Sequence, residues 1–113
     1  MDSSTVLDRK QLREITMDDE ELMQEILATL LDDTSTQIHK LQSAVAASDS
    51  NLCMRLAHYC KGSCSNVGAN AAAAVFREIE VQARDSQFQQ CTSSLAALAT
   101  EMERLRVEIT TTV

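Results

Sequence analysis

Residues that make tight turns are almost absent from this chain of 113 residues, which contains no proline and two glycines. Hairpins and sandwiches need such residues to reverse the chain, so the sequence disfavours a β-rich fold. Apolar residues make up 44% of the sequence but aromatic residues only 3%. The apolar residues are mainly Ala, Leu, Val, Ile and Met, which suit packed helices better than sheets. The sequence therefore predicts an all-α fold.

Apolar residues recur every three or four positions along four segments, which predicts an antiparallel four-helix bundle. The first long helix should end near Ala47, and the others should cover about 52–64, about 69–83 and the chain from Ser86 onward. A short N-terminal helix over about 8–15, with Leu7, Leu12 and Ile15 on its apolar edge, should cover one end of the bundle. A chain of this length has room for one core, so we expect a single domain spanning 1–113, with its core at about 8–109.

The formal net charge of −7 repels the phosphate backbone of nucleic acids, so we expect no nucleic-acid partner. No stretch approaches the ~20 apolar residues that a membrane span needs, and the N-terminus lacks the pattern of a secretory signal. The sequence therefore predicts a cytoplasmic protein with no membrane association. Because the outward faces of the predicted helices are polar, a monomer is expected.

The four cysteines, at 53, 60, 64 and 91, form no C-x-x-C pair. Cys53, Cys60 and Cys64 recur at helical spacing, which is typical of reduced thiols packed as small apolar residues in a core. A structural zinc site would need four converging ligands, so no metal site is expected.

Both glycines lie in one segment, 56–69. Gly68 falls where a helix should end, and glycine adopts the left-handed conformation of such an end at little cost. Gly62 instead lies inside the helical pattern, where glycine costs about 1 kcal/mol relative to alanine. We infer that the absence of a side chain at position 62 serves a purpose.

A helical wheel places the core face of this segment and its candidate reactive residue, His58, on different sides of the helix. Six residues define the core face: Cys53, Leu56, Ala57, Cys60, Cys64 and Val67. At about 100° per residue, His58 lies roughly 140° away from that face, with Lys61 and Gly62 one turn ahead. An exposed imidazole is a competent nucleophile near neutral pH, and a neighbouring ammonium group stabilises a transferring phosphoryl group. Gly62 would leave room beside the ring for a partner's loops.

The segment 57–69 resembles the signature of the histidine-containing phosphotransfer (HPt) family, A-H-x-L-K-G-x-x-x-x-x-G-A. The matching residues are Ala57, His58, Lys61, Gly62, Gly68 and Ala69. Cys60 replaces the usual leucine. The resemblance implies a four-helix bundle, phosphorylation of His58 on Nε2, and supporting roles for Lys61 and Gly62. Glu80 falls where family members often carry Gln or Glu, but it lies outside the motif and is a weak candidate.

The function that this resemblance implies is that of a phosphorelay intermediate in two-component signalling. His58 would accept a phosphoryl group from a receiver-domain aspartate and pass it to another receiver domain. The expected partners are response-regulator receiver domains and a hybrid sensor histidine kinase. The protein would be a phosphocarrier without kinase activity and without a cofactor of its own, because Mg²⁺ is expected on the receiver.

Three other functions fit the sequence less well. An autokinase would need a glycine-rich phosphate loop, and both glycines are already assigned. A metal or redox site of Cys60, Cys64 and His58 is disfavoured because the wheel places His58 on a different face from the thiols. A non-catalytic acidic adaptor that binds a protein partner remains the alternative. His39 has no flanking motif and is expected to be a solvated surface residue.

Overall fold

Five α-helices follow one another along residues 5–111, the part of the chain that this computed structural model describes. They are α1 (Arg9–Thr16), α2 (Glu20–Ala46), α3 (Ser50–Val67), α4 (Asn70–Arg84) and α5 (Phe88–Thr110). No strand occurs within this described range. None of the described helices is both long and apolar enough to cross a membrane.

The four long helices form the predicted antiparallel bundle. Connections of two or three residues join α2 to α3, α3 to α4 and α4 to α5, so consecutive helices run in opposite directions. Each packs against the next, and α5 closes the bundle against α2. The short helix α1 contacts α2 and α3. The all-α fold and the short N-terminal helix expected from the sequence are confirmed.

Aspartates fix the start of three helices. The side chains of Asp8, Asp19 and Asp49 accept hydrogen bonds from the backbone N–H groups of Gln11, Leu22 and Leu52, each at 3.1 Å. Such caps satisfy donors that have no partner within the helix and each contribute about 1 kcal/mol.

Helix α3 is longer than the sequence predicted. We expected it to end near Cys64, followed by a turn over 65–68, but it continues to Val67. Val67 is buried in the core, and the side-chain amide of Gln11 donates to the carbonyl of Ser65 at 2.6 Å. The extra turn is therefore held by tertiary contacts that helical propensity alone does not reveal.

The prediction for α1 was wrong at Ile15, whose surface is 48% exposed. Leu7 and Leu12 are buried as expected, but the third buried position belongs to Thr16. Thr16 enters the interior because its hydroxyl donates to the carbonyl of Leu12 at 2.8 Å, which satisfies the polar group inside the protein.

All four cysteines are free and buried, as predicted for core residues. Burial raises the pKa of Cys53 to about 11 and those of Cys60 and Cys64 to about 12. These thiols therefore stay protonated near neutral pH and pack as apolar groups. No group of three or more potential metal ligands occurs among residues 5–111.

Gly68 ends α3 in the left-handed conformation, with φ = 90°. A Cβ atom at this position would lie 2.7 Å from the carbonyl oxygen of Asp8. This close approach allows a backbone hydrogen bond, in which the Asp8 N–H donates to the Gly68 carbonyl at 2.8 Å. Both the backbone angle and the close approach of Asp8 therefore require glycine.

We predict that Gly68→Ala lowers the free energy of unfolding by about 2 kcal/mol, because left-handed geometry and a backbone clash both oppose a side chain. Gly62→Ala is the matched control. A Cβ there meets no atom within 4 Å outside its own helix, so this variant should have a free energy of unfolding about 0.5–1 kcal/mol higher than that of the wild type. Urea denaturation of both variants measures the difference, and equal effects at the two glycines would contradict this account.

Candidate functional site around His58

His58 projects outward from α3, as the helical wheel predicted. Its side chain is 69% exposed, whereas Cys53, Ala57 and Cys60 on the opposite face are buried. The burial pattern of α3 therefore determines where the imidazole lies. Packing of the small core side chains fixes the rotation of the helix, and that rotation holds the ring at the surface.

Glu80 of α4 joins the two polar residues of α3. Its Oε2 atom lies 3.0 Å from His58 Nδ1, and its Oε1 atom accepts a hydrogen bond from Lys61 Nζ at 2.8 Å. One carboxylate therefore connects the imidazole to the ammonium group. Lys61 is held beside His58 through this bridge.

The Glu80 carboxyl is ionised near neutral pH. Partial burial by itself raises its pKa, but hydrogen bonds from Lys61 and His58 outweigh that effect, so the pKa lies below its usual value. An ionised carboxylate only accepts hydrogen bonds, so the hydrogen between Glu80 and the ring belongs to Nδ1. A neutral imidazole with its hydrogen on Nδ1 has its lone pair on Nε2.

Gly62 leaves the surface open one turn beyond His58. A Cβ built at this glycine meets no other atom within 4 Å outside its own helix. No contact within the described part of the protein therefore requires glycine here, in contrast to Gly68. The open surface is consistent with the space for a partner that the sequence predicted, although that role remains a prediction.

Glu80 was only a weak candidate in the sequence, and the structure places it at the centre of the polar cluster. It lies 22 positions from His58, on a different helix. The feature that could have revealed this proximity is the two-residue connection between α3 and α4. Because a tight antiparallel connection aligns residues that are nearly equally distant from it, 58 and 80 become neighbours across the 68–69 turn.

The remaining histidine is not part of this cluster. His39 is exposed on α2, as predicted, and lies in a shallow groove on the α5 side of that helix. The buried thiols of Cys60 and Cys64 are also separate from the exposed imidazole.

A four-helix bundle with an exposed histidine on its second long helix is the arrangement of a histidine phosphotransfer domain, and comparison with known families agrees. The model of the Hpt domain matches residues 25–108, and the chain belongs to this family. It functions in histidine phosphotransfer in two-component signalling.

A solved structure supports the same assignment over nearly the whole chain. Histidine-containing phosphotransfer protein B (HptB) from Pseudomonas aeruginosa PAO1 superposes with a TM-score of 0.87 and 25% sequence identity. The match covers 96% of this chain and 94% of that one. No curated protein sequence gave a significant match.

We predict that Glu80 sets the tautomer of His58. In ¹⁵N-edited NMR spectra recorded above pH 8, the wild type should show its imidazole hydrogen on Nδ1. Glu80→Ala removes the acceptor, so the ring should shift towards a mixture of tautomers. Glu78→Ala, at an exposed carboxylate nearby on α4, is the control and should leave the spectrum unchanged. An unaltered tautomer in Glu80→Ala would show that Glu80 does not control the ring.

Proposed function

We propose that the protein is a phosphorelay intermediate that accepts a phosphoryl group on His58 from a receiver-domain aspartate and passes it to another receiver domain. The observation that carries this proposal is the hydrogen bond between His58 Nδ1 and the Glu80 carboxylate. This bond leaves Nε2 unprotonated on an exposed ring, which is the state that a nucleophile needs.

The transfer is a displacement at phosphorus. The Nε2 lone pair attacks, an N–P bond forms, and the P–O bond to the receiver aspartate breaks. The aspartate leaves as a carboxylate. Nε2 has no proton to lose, so no general base is required, and the same steps in reverse transfer the group to the next receiver. Mg²⁺ is expected on the receiver domain, where it would neutralise charge on the transferring group.

Glu80 and Lys61 would stabilise the phosphorylated ring in complementary ways. Phosphorylation of Nε2 while Nδ1 keeps its hydrogen places positive charge on the ring, which the Glu80 carboxylate offsets. The Lys61 ammonium, already held next to Glu80, offsets the negative charge of the phosphoryl oxygens. Lys61 would exchange part of its interaction with Glu80 for the phosphoryl group.

The protein would work as a carrier rather than as a kinase, as proteins of this family do. The phosphoryl group would come from the receiver of a hybrid sensor histidine kinase and leave to a response regulator. We propose that the carrier is a cytoplasmic monomer, since the outward faces of its helices are mainly polar.

We predict that His58→Gln abolishes labelling by every phosphorylated receiver and leaves the thermal midpoint nearly unchanged, because the side chain is exposed. His39→Gln is the control and should accept label at the wild-type rate. The label should be lost in acid and retained in base, as expected for a phosphoramidate. Label that persists in His58→Gln would reject His58 as the acceptor, and a wild type that binds receivers without labelling would favour the adaptor function.

We predict that Gly62→Gln slows transfer from receivers at least tenfold, because a displacement of about 1 Å in the attack geometry can cost a factor of ~100. Labelling of His58 by phosphoramidate needs no docked surface and should change much less. Circular dichroism should show unchanged helicity, because a Cβ at 62 meets no described atom within 4 Å outside its own helix. Equal receiver-dependent rates for Gly62→Gln and wild type would refute the clearance role.

A further inference from the structure

The segment 5–12, here named the N-terminal clamp, lies against the turn between α3 and α4 and supplies hydrogen-bond partners to both helix ends. The carbonyl of Thr5 accepts a hydrogen bond from the N–H group of Ala71, in the first turn of α4, at 2.8 Å. The N-cap residue of α4 is Ala69, whose side chain cannot cap a helix. The clamp therefore provides a cap that the sequence of α4 lacks.

The same clamp holds the last turn of α3 through Gln11. The Nε2 atom of this side chain donates to the carbonyls of Ser65 at 2.6 Å and Asn66 at 3.2 Å. The other end of the amide, Oε1, is buried and has no hydrogen-bond partner among the described residues. Since an unpaired buried oxygen costs free energy, the orientation of this side chain is decided by its two bonds to α3.

Apolar and ionic contacts anchor the clamp itself. Leu7 and Leu12 are buried in the core. Between them, the Arg9 guanidinium binds the Glu108 carboxylate at 2.7 Å and donates to the Glu108 carbonyl at 3.3 Å, in the last turns of α5. The clamp therefore has a fixed position from which it holds the turn between α3 and α4.

Helix α3 buries only small side chains, which makes an external hold on its end useful. The buried residues of this helix are Cys53, Ala57, Cys60, Cys64 and Val67. Small side chains form shallow ridges, which oppose sliding of a neighbouring helix less than large ones do. Val67, the largest of the five, lies in the turn that Gln11 caps. The alignment of α4 along α3 therefore depends in part on the clamped end.

We propose that Gln11 is a positioning residue, which keeps Glu80 in line with His58 and Lys61 by holding the turn between α3 and α4. As far as transfer is concerned, this role rests on the proposed phosphorelay function. One residue along a helix is a step of about 1.5 Å. Such a shift of α4 stretches the contacts of 3.0 Å to His58 and 2.8 Å to Lys61 beyond hydrogen-bonding length, and the ring hydrogen loses its acceptor.

The variant Gln11→Glu removes the donor from the clamp and preserves the size of the side chain. An ionised carboxylate has no N–H group, so the carbonyls of α3 lose both bonds. Glutamate is a good helix former, and negative charge is favoured in the first turn of a helix, so α1 should stay folded. Asp19→Ala is the matched control, because it removes one capping bond from α2 and leaves the clamp intact.

Amide hydrogen exchange tests whether Gln11 holds the turn. The N–H groups of Gly68 and Ala69 bond carbonyls in the last turn of α3. In Gln11→Glu these two amides should exchange about fivefold faster than in the wild type, as expected for the loss of a hydrogen bond that supports the turn. Unchanged exchange would show that Gln11 does not hold the turn and would overturn the proposal.

NMR and labelling test whether the turn positions Glu80. In ¹⁵N-edited spectra above pH 8, the His58 ring of Gln11→Glu should shift towards a mixture of tautomers. Labelling by phosphorylated receivers and by phosphoramidate should slow by the same factor, about threefold or more, because the ring itself is altered. In Asp19→Ala, the spectrum and both labelling rates should match the wild type although the thermal midpoint falls.

Faster exchange at the turn with an unchanged His58 spectrum would overturn the positioning role while the relay function stands. An equal change of the spectrum in Asp19→Ala would also overturn it, because general loss of stability would then be the cause. A wild type that no phosphorylated receiver labels would instead reject the proposed function. The spectra of the two variants would still decide whether Gln11 positions Glu80.

Discussion

The packing of α3 against α4 is the contact on which the other features of this structure depend. Both helices bury small side chains, with Ala57, Cys60 and Cys64 on α3 and Ala72 and Ala83 on α4. Small residues let two helix backbones approach closely, so short polar bonds can cross between them. Near the other end of the pair, the Ser50 hydroxyl donates to the Ala83 carbonyl at 2.6 Å. Glu80 reaches His58 and Lys61 because this packing holds α4 close to α3.

The contact with Glu80 gives His58 a defined position for its ring hydrogen without burying the ring. A receiver needs access to the ring, so burial cannot be used to tune it, and 69% of the side chain remains exposed. A single partly buried carboxylate fixes the hydrogen on Nδ1 and also holds the ammonium group of Lys61 within one turn of the ring. The proposed site of phosphorylation therefore has a defined position for the ring hydrogen while most of the side chain stays exposed.

Much of the fold could be predicted from the sequence because the relevant information is local. The spacing of apolar residues along the chain predicted the four long helices. Ile15 and the last turn of α3 were predicted wrongly because their outcome depends on contacts between helices: Thr16 satisfies its own hydroxyl in the interior, and Gln11 caps α3 from α1. Glu80 was undervalued for the same reason, since its role follows from the register of α4 against α3.

The central claim is that Glu80 keeps the hydrogen of His58 on Nδ1, so that Nε2 exchanges phosphoryl groups with receiver domains. The most direct measurement is a ¹⁵N and ³¹P NMR spectrum of the protein after labelling by a phosphorylated receiver. The account predicts phosphorus coupled to Nε2 of His58, with Nδ1 still protonated. Phosphorus bound to Nδ1 of that ring, or to any other residue, would contradict it.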